Sequence, residues 1–189
     1  NNGTLTDLVN AGDTLDFQGK IFRNGSNICI NKPVNVISTT KDAYIDFNTT
    51  AGSLLGDNPG ARFAVVNGGD YSNITGIYIH NTQLWVYNVS HVTFDNINAV
   101  VEDQRVGSGV GQTSIRANST YITVKNSYFY TRNNGGSSTF VLAWGDYCTI
   151  LNNTIRAEGN SGNLFYLTTY NVQIPKDVIA NSNNKIINN

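Results

Sequence analysis

A short phrase recurs along this 189-residue chain: an apolar residue, Thr, a second apolar or small residue, and then a polar turn. It stands at Ile74-Thr75-Gly76, Val92-Thr93-Phe94, Ile122-Thr123-Val124 and Cys148-Thr149-Ile150, in steps of 18, 30 and 26 residues. The last three run on into Asp95-Asn96-Ile97, Lys125-Asn126-Ser127 and Leu151-Asn152-Asn153-Thr154-Ile155. A repeat of this size with insertions of variable length marks a solenoid, in which every turn of chain stacks on the one before.

Short runs of alternating apolar residues surround the phrase, at 15–22, 28–37, 43–47, 63–66 and 84–87, then at 115–117 and 140–143, with Gly, Asn, Ser and Pro between them. A hairpin meander uses strands of this length too. It does not explain why strands one repeat apart resemble each other while adjacent strands do not. In a parallel β-helix, equivalent positions stack about 4.8 Å apart. On that register Ile74, Val92, Ile122, Cys148 and Ile179 form an inward column, and Thr75, Thr93, Thr123 and Thr149 an outward one. Asn73, His91, Tyr121 and Tyr147 flank the Thr column, and Asn96, Asn126, Asn152 and Asn183 stack at the turn, where side-chain amides bond to one another.

Parallel crossovers within a sheet are right-handed. The expected fold is therefore all-β: a right-handed, single-stranded parallel β-helix of about six to seven coils, forming one domain over residues 1–189. Insertions at 99–113, 131–138 and 156–163 fall at one place in the coil and are expected to project from one edge. Segment 1–14 differs. Thr4 and Asp7 have capping-box spacing, Leu5, Leu8 and Val9 share one helical face, and Gly12 supplies a stop, which predicts a short helix capping the first rung. The chain closes on Asn188-Asn189 just after another coil-like run, and it contains no Met, so it is expected to be cut from a longer solenoid.

A formal charge of −1 and only 13% charged residues give no footing for nucleic acid. No apolar run is long enough to span a bilayer, so no membrane insertion is expected of this segment. The two cysteines, Cys29 and Cys148, sit several coils apart, too far to be bridged, and Cys148 takes a core position. Sequons at Asn2, Asn24, Asn48, Asn73, Asn88, Asn118 and Asn152 are compatible with export.

The opening run Leu8-Val9-Asn10-Ala11-Gly12-Asp13-Thr14-Leu15 resembles the entry segment of pectate-lyase-like β-helix proteins. Ile28-Cys29-Ile30-Asn31-Lys32-Pro33-Val34 and Thr149-Ile150-Leu151-Asn152-Asn153-Thr154-Ile155 are similar to the β-helix repeats of adhesin-like surface proteins of methanogenic archaea. The resemblance covers essentially the whole chain. It implies an extracellular, cell-surface protein with a repetitive stalk, and it brings no catalytic residues.

The fold also hosts polysaccharide lyases and glycoside hydrolases, so the chemistry has to be examined. Glycoside hydrolysis needs two carboxyl groups across a groove. The acids expected near one edge, Asp95, Glu102, Asp103, Asp146 and Glu158, are scattered, and Arg105 beside Glu102 and Asp103 reads as a solvated ion pair. His80 and His91, the only histidines, lack partners at metal-ligand spacing and read as surface strand positions. No cofactor and no metal is expected. The single regular Thr column, with mixed neighbours, argues against ice binding.

Binding without turnover remains. Trp85, Tyr121, Trp144 and Tyr147 are candidate aromatic contacts, and Arg132, Asn133, Arg156 and Glu158 candidate rim residues, for cell-surface glycans or proteins of neighbouring cells. The expected function is a non-catalytic, adhesin-like display scaffold or stalk, with self-association through the open last rung as a further outcome. The alternative is a polysaccharide-degrading lyase or hydrolase on the same fold.

Overall fold

The computed structural model describes residues 3–23, 27–40, 43–47, 62–102, 113–116, 118–132, 138–143, 145–158, 164–168 and 183–189. Among these residues the chain is all-β, and no helix is long and apolar enough to cross a membrane.

Three parallel sheets carry the fold. The first contains Thr14–Asp16, Asn35–Ile37, Asn73–Thr75, Thr93–Asp95, Thr123–Lys125, Thr149–Leu151 and Lys185–Ile187. The second contains Ile21–Arg23, Tyr44–Asp46, Tyr78–His80, Asn98–Val101, Tyr128–Arg132 and Thr154–Glu158. The third contains Asn27–Ile30, Arg62–Val65, Gln83–Tyr87, Thr113–Arg116, Phe140–Ala143 and Phe165–Thr168. Ser119–Thr120 and Gly145–Asp146 add a short parallel pair. The chain visits the three sheets in rotation, and within each sheet a strand pairs with its counterpart from the circuit before. This connectivity is compatible with a parallel β-helix.

Strands of three to five residues suffice because each needs only one or two side chains on the inside. In the first sheet the inward row is Leu15, Val36, Ile74, Phe94, Val124, Ile150 and Ile186. From Val36 to Ile150 this row is buried, while Ile186, in the last strand, is 48% exposed. The second sheet contributes Ile45, Ile79, Ala99 and Phe129, and the third Phe63, Leu84, Phe140 and Leu142, to the same core. Phe140 packs edge-on to Phe129 of its own circuit and parallel to Phe165 of the next, with centroids 5.2 Å apart in each case.

Left-handed backbone makes the bends. Between the first and second sheets, Gly76, Asn96, Asn126, Asn152 and Asn188 all have φ between 50° and 70°. These are the residue types that reach this region most readily. The bend also continues the ladder: the N–H groups of Gly76, Asn96, Asn126 and Asn152 donate to Asp95, Lys125, Leu151 and Ile187 of the next circuit.

This bend corrects the register read from the Thr phrase. Gly76 stands in the column of Asn96, so Ile74 stacks on Phe94 and Asn73 on Thr93. The phrase at 74 is displaced by two residues from those at 92, 122 and 148. The outward column is therefore Thr14, Asn35, Asn73, Thr93, Thr123, Thr149 and Lys185. Asn188 takes the place expected for Asn183, which stacks on Tyr147. The Asn126 amide donates to Asp95 at 2.9 Å. Side-chain amides bond to one another elsewhere: Asn73 to Asn35 on the outer face, Asn88 to Asn67, and Asn153 to Asn189 one residue past the bend column. Ile179 lies outside the described residues, as does most of each expected insertion.

The expected capping helix is absent. Thr4 instead bridges to Cys29, whose N–H donates to Gly3, so the segment starts with a single parallel bridge on the open edge of the third sheet. Turns follow: Val9 N–H bonds to Thr6, and Lys32 Nζ takes the Thr6 and Val9 carbonyls, each at 2.8 Å. Pairing to an open strand edge and capture of two carbonyls by a lysine satisfy the backbone groups that a helix would have satisfied itself. Leu5 and Val9 still pack on the core, whereas Leu8 is 90% exposed.

Candidate functional site

The outward residues of the second sheet make a chemically varied surface. Register places Ile21, Tyr44, Tyr78, Asn98, Tyr128 and Thr154 in one outward row. Arg23, Asp46, His80, Val100, Tyr130 and Arg156 form the next, and Arg132 pairs with Glu158 beyond them.

His80 organises the first half of this face. Its Nδ1 lies 3.3 Å from Asp46 Oδ2 and its Nε2 3.5 Å from Glu102 Oε2, so one imidazole is held between two carboxylates. The backbone fixes all three. Thr82 Oγ1 accepts the N–H of Phe47, next to Asp46, and donates to the carbonyl of His80. Asn81 Oδ1 accepts the N–H of Glu102. Tyr44 stacks against His80 with centroids 5.5 Å apart and meets Tyr78 edge-on at 4.7 Å. Burial, then the charge of Asp46, pushes the Tyr44 phenol up to about 12, and burial with Glu102 raises Tyr78. Both phenols remain donors throughout the neutral range.

The second half is built on Tyr130. Its hydroxyl donates to Glu158 Oε2 at 2.9 Å, and Arg156 bonds to the other oxygen of the same carboxylate. These two donors hold the Glu158 carboxyl below its ordinary range. Tyr128 and Tyr130 lie nearly parallel, with centroids 6.5 Å apart.

The candidates named from sequence divide into four groups. Arg132, Arg156 and Glu158 do come together, at the strand ends described above. Trp85 does not reach solvent. It points away from the main core on the third sheet but is only 1% exposed, with the Arg62 guanidinium 3.7 Å over its ring. A ring so covered has no face to offer, which removes Trp85 from the expected contact set. Tyr121 and Tyr147 are exposed, but they lie on the bend between the third and first sheets rather than on strands, with φ of 55° and 54°. There they join a ladder, Tyr71–His91–Tyr121–Tyr147, with centroids 4.7, 4.7 and 4.8 Å apart and planes within 16°. The inner rings of that ladder spend both faces on each other. Trp144, Asn133, Asp103 and Arg105 lie outside the described residues.

Sequence reasoning missed Asp46, His80, Glu102, Tyr44 and Tyr78 as a group. Asp46 precedes His80 by 34 residues and Glu102 follows it by 22, so no fixed period joins them. Pairing the strands by inward residues and then reading the outward ones would have found the set. His91, expected on a strand surface, is a ring of the bend ladder. Among the described residues, no three His, Cys, Asp or Glu side chains converge as a metal site. Both cysteines are free and buried.

No family model, no curated protein and no solved structure matches this chain.

Proposed function

We propose that the chain is a right-handed parallel β-helix of about six to seven coils acting as an extracellular, adhesin-like scaffold. It binds glycan or protein partners at the cell surface without turning them over. The observation that carries this reading is the second sheet's outer face, where four tyrosines on three strands stand among paired acids and arginines. Aromatic rings with a few well-placed polar groups are the usual makings of a recognition surface. A stack of short parallel strands presents them in a fixed row, with the ladder hydrogen bonds setting the spacing. The resemblance of the Asn-Asn-Thr-Ile phrase to adhesin-like repeats points the same way.

The carboxylates of this face are engaged with an imidazole, a phenol and a guanidinium, an arrangement suited to holding a surface in shape. The test is a glycan-array screen with product analysis on every polysaccharide that binds. Saturable binding with intact polymer is the expected result. Shortened or unsaturated sugars would overturn it in favour of a lyase or hydrolase, and silence across the array would overturn glycan recognition.

A further inference from the structure

We infer that the outer face of the second sheet is itself the binding site, and that its ligand is a neutral oligosaccharide lying along the stack of strands. The inference rests on the glycan-binding reading above and adds the place and the chemical class.

The location follows from which aromatic rings remain available. In the ladder Tyr71–His91–Tyr121–Tyr147 the two inner rings spend both faces on stacking, which leaves one face each of Tyr71 and Tyr147 far apart at its ends. Trp85 is covered by Arg62. On the second sheet, Tyr44, Tyr78, Tyr128 and Tyr130 point outward and are half-buried. Rings fixed in this way contribute contact area at small entropic cost when a ligand arrives. From the strand of Tyr44 to that of Arg156 there are four steps of about 4.8 Å, a track of about 19 Å, which suits a short sugar chain rather than a monosaccharide.

The class follows from charge. Asp46, Glu102 and Glu158 are matched on this face by Arg23, Arg132 and Arg156, with His80 between the first two acids. An anionic ligand would meet Asp46 and Glu102 over one half of the track, and a cationic ligand would meet Arg132 and Arg156 over the other. Either would desolvate a charge without a matching partner. A polyhydroxylated neutral ligand avoids that cost. Its hydroxyls donate to the reachable carboxylates of Glu102 and Glu158 and accept from Arg156, whose side chains are 53%, 42% and 60% exposed.

The deciding experiment is isothermal titration of the folded chain with cellohexaose, mannohexaose and chitohexaose, and with hexagalacturonate as the acidic probe. It is repeated with Glu102→Gln and Arg156→Gln, and with Tyr121→Asn on the bend as control. Exposed positions were chosen so that folding, checked by circular dichroism, is retained. The expected result is saturable binding of at least one neutral probe, weakened about tenfold or more by each sheet variant and unchanged by the bend variant. Binding of the acidic probe alone overturns the ligand class. Neutral binding that ignores Glu102→Gln and Arg156→Gln overturns the location. In both cases glycan recognition by the scaffold still stands. No binding to any of the four probes, together with a silent glycan array, overturns both readings.

Discussion

Asn153 offers the sharpest test of how this chain holds its circuits together. Its side chain is 3% exposed at the bend between the first and second sheets. Its Oδ1 accepts the Ser127 N–H at 3.0 Å, and its Nδ2 donates to the Val124 carbonyl at 3.0 Å and to Asn189 Oδ1 at 2.8 Å. One amide therefore joins three successive circuits. Asn153→Ala strands the buried Ser127 N–H, at about 1–3 kcal/mol, and removes a bond to Val124 worth about 1 kcal/mol, for an expected loss of about 2–4 kcal/mol. Asn153→Ser should recover much of this. One circuit earlier, Ser127 Oγ already accepts the Ile97 N–H at 3.0 Å and donates to the Lys125 carbonyl at 2.7 Å. Urea unfolding gives the size of the loss. Amide exchange at Ser127 gives its location, because stacked circuits that touch only their neighbours can open locally. A change below about 0.5 kcal/mol for Asn153→Ala, or equal losses for Ala and Ser, would refute the reasoning.

Three further outcomes are expected. Between about pH 10 and 12 the folded chain keeps a proton on Tyr44 that the unfolded chain has lost, so stability falls as pH rises through that window. Urea midpoints across it should decline less steeply in Tyr44→Phe, and equal slopes would rule the assignment out. The Cys148 thiol is pushed up to about 11 by burial, and Cys29 is raised as well, so a thiol reagent at pH 8 should label neither until the chain unfolds. Rapid labelling of the native protein would contradict the burial of both. Phe129→Ala, which removes the ring packed edge-on to Phe140, should cost about 3–5 kcal/mol in urea unfolding, and a loss under about 1 kcal/mol would show the inner stack to be loosely packed.

Much of the architecture is legible in single residues. A strand with one inward side chain must alternate, and the runs around Ile74, Phe94, Val124 and Ile150 do so. The bend between the first and second sheets repeats Gly or Asn where φ is positive, at Gly76, Asn96, Asn126 and Asn152, the residue types that take this backbone at least cost. Both are steric requirements within a few bonds, so parallel stacking of short strands could be read from the chain. The Thr phrase was a weaker guide to register. An outward Thr suits either side of the inward residue, as Thr75 and Thr93 do, whereas the bend tolerates few residue types.

The site was not legible in the same way. Its members meet because loops of different length return the chain to the same edge, which brings His80 between Asp46 and Glu102. Folding likewise placed a bridge to the third sheet and Lys32 where a helix was expected, covered Trp85 with Arg62, and put Tyr71 rather than Asn73 at the head of the His91, Tyr121 and Tyr147 column that the register gives. By itself, then, the sequence determined the inward faces and the Gly and Asn bends after the first sheet, because those depend on local sterics and alternation. It did not set strand length, since the runs 15–22 and 28–37 each divide between two strands on different sheets. Which outward side chains become neighbours, and which of them stay open to a ligand, only the tertiary structure decided, because that depends on contacts between residues tens of positions apart.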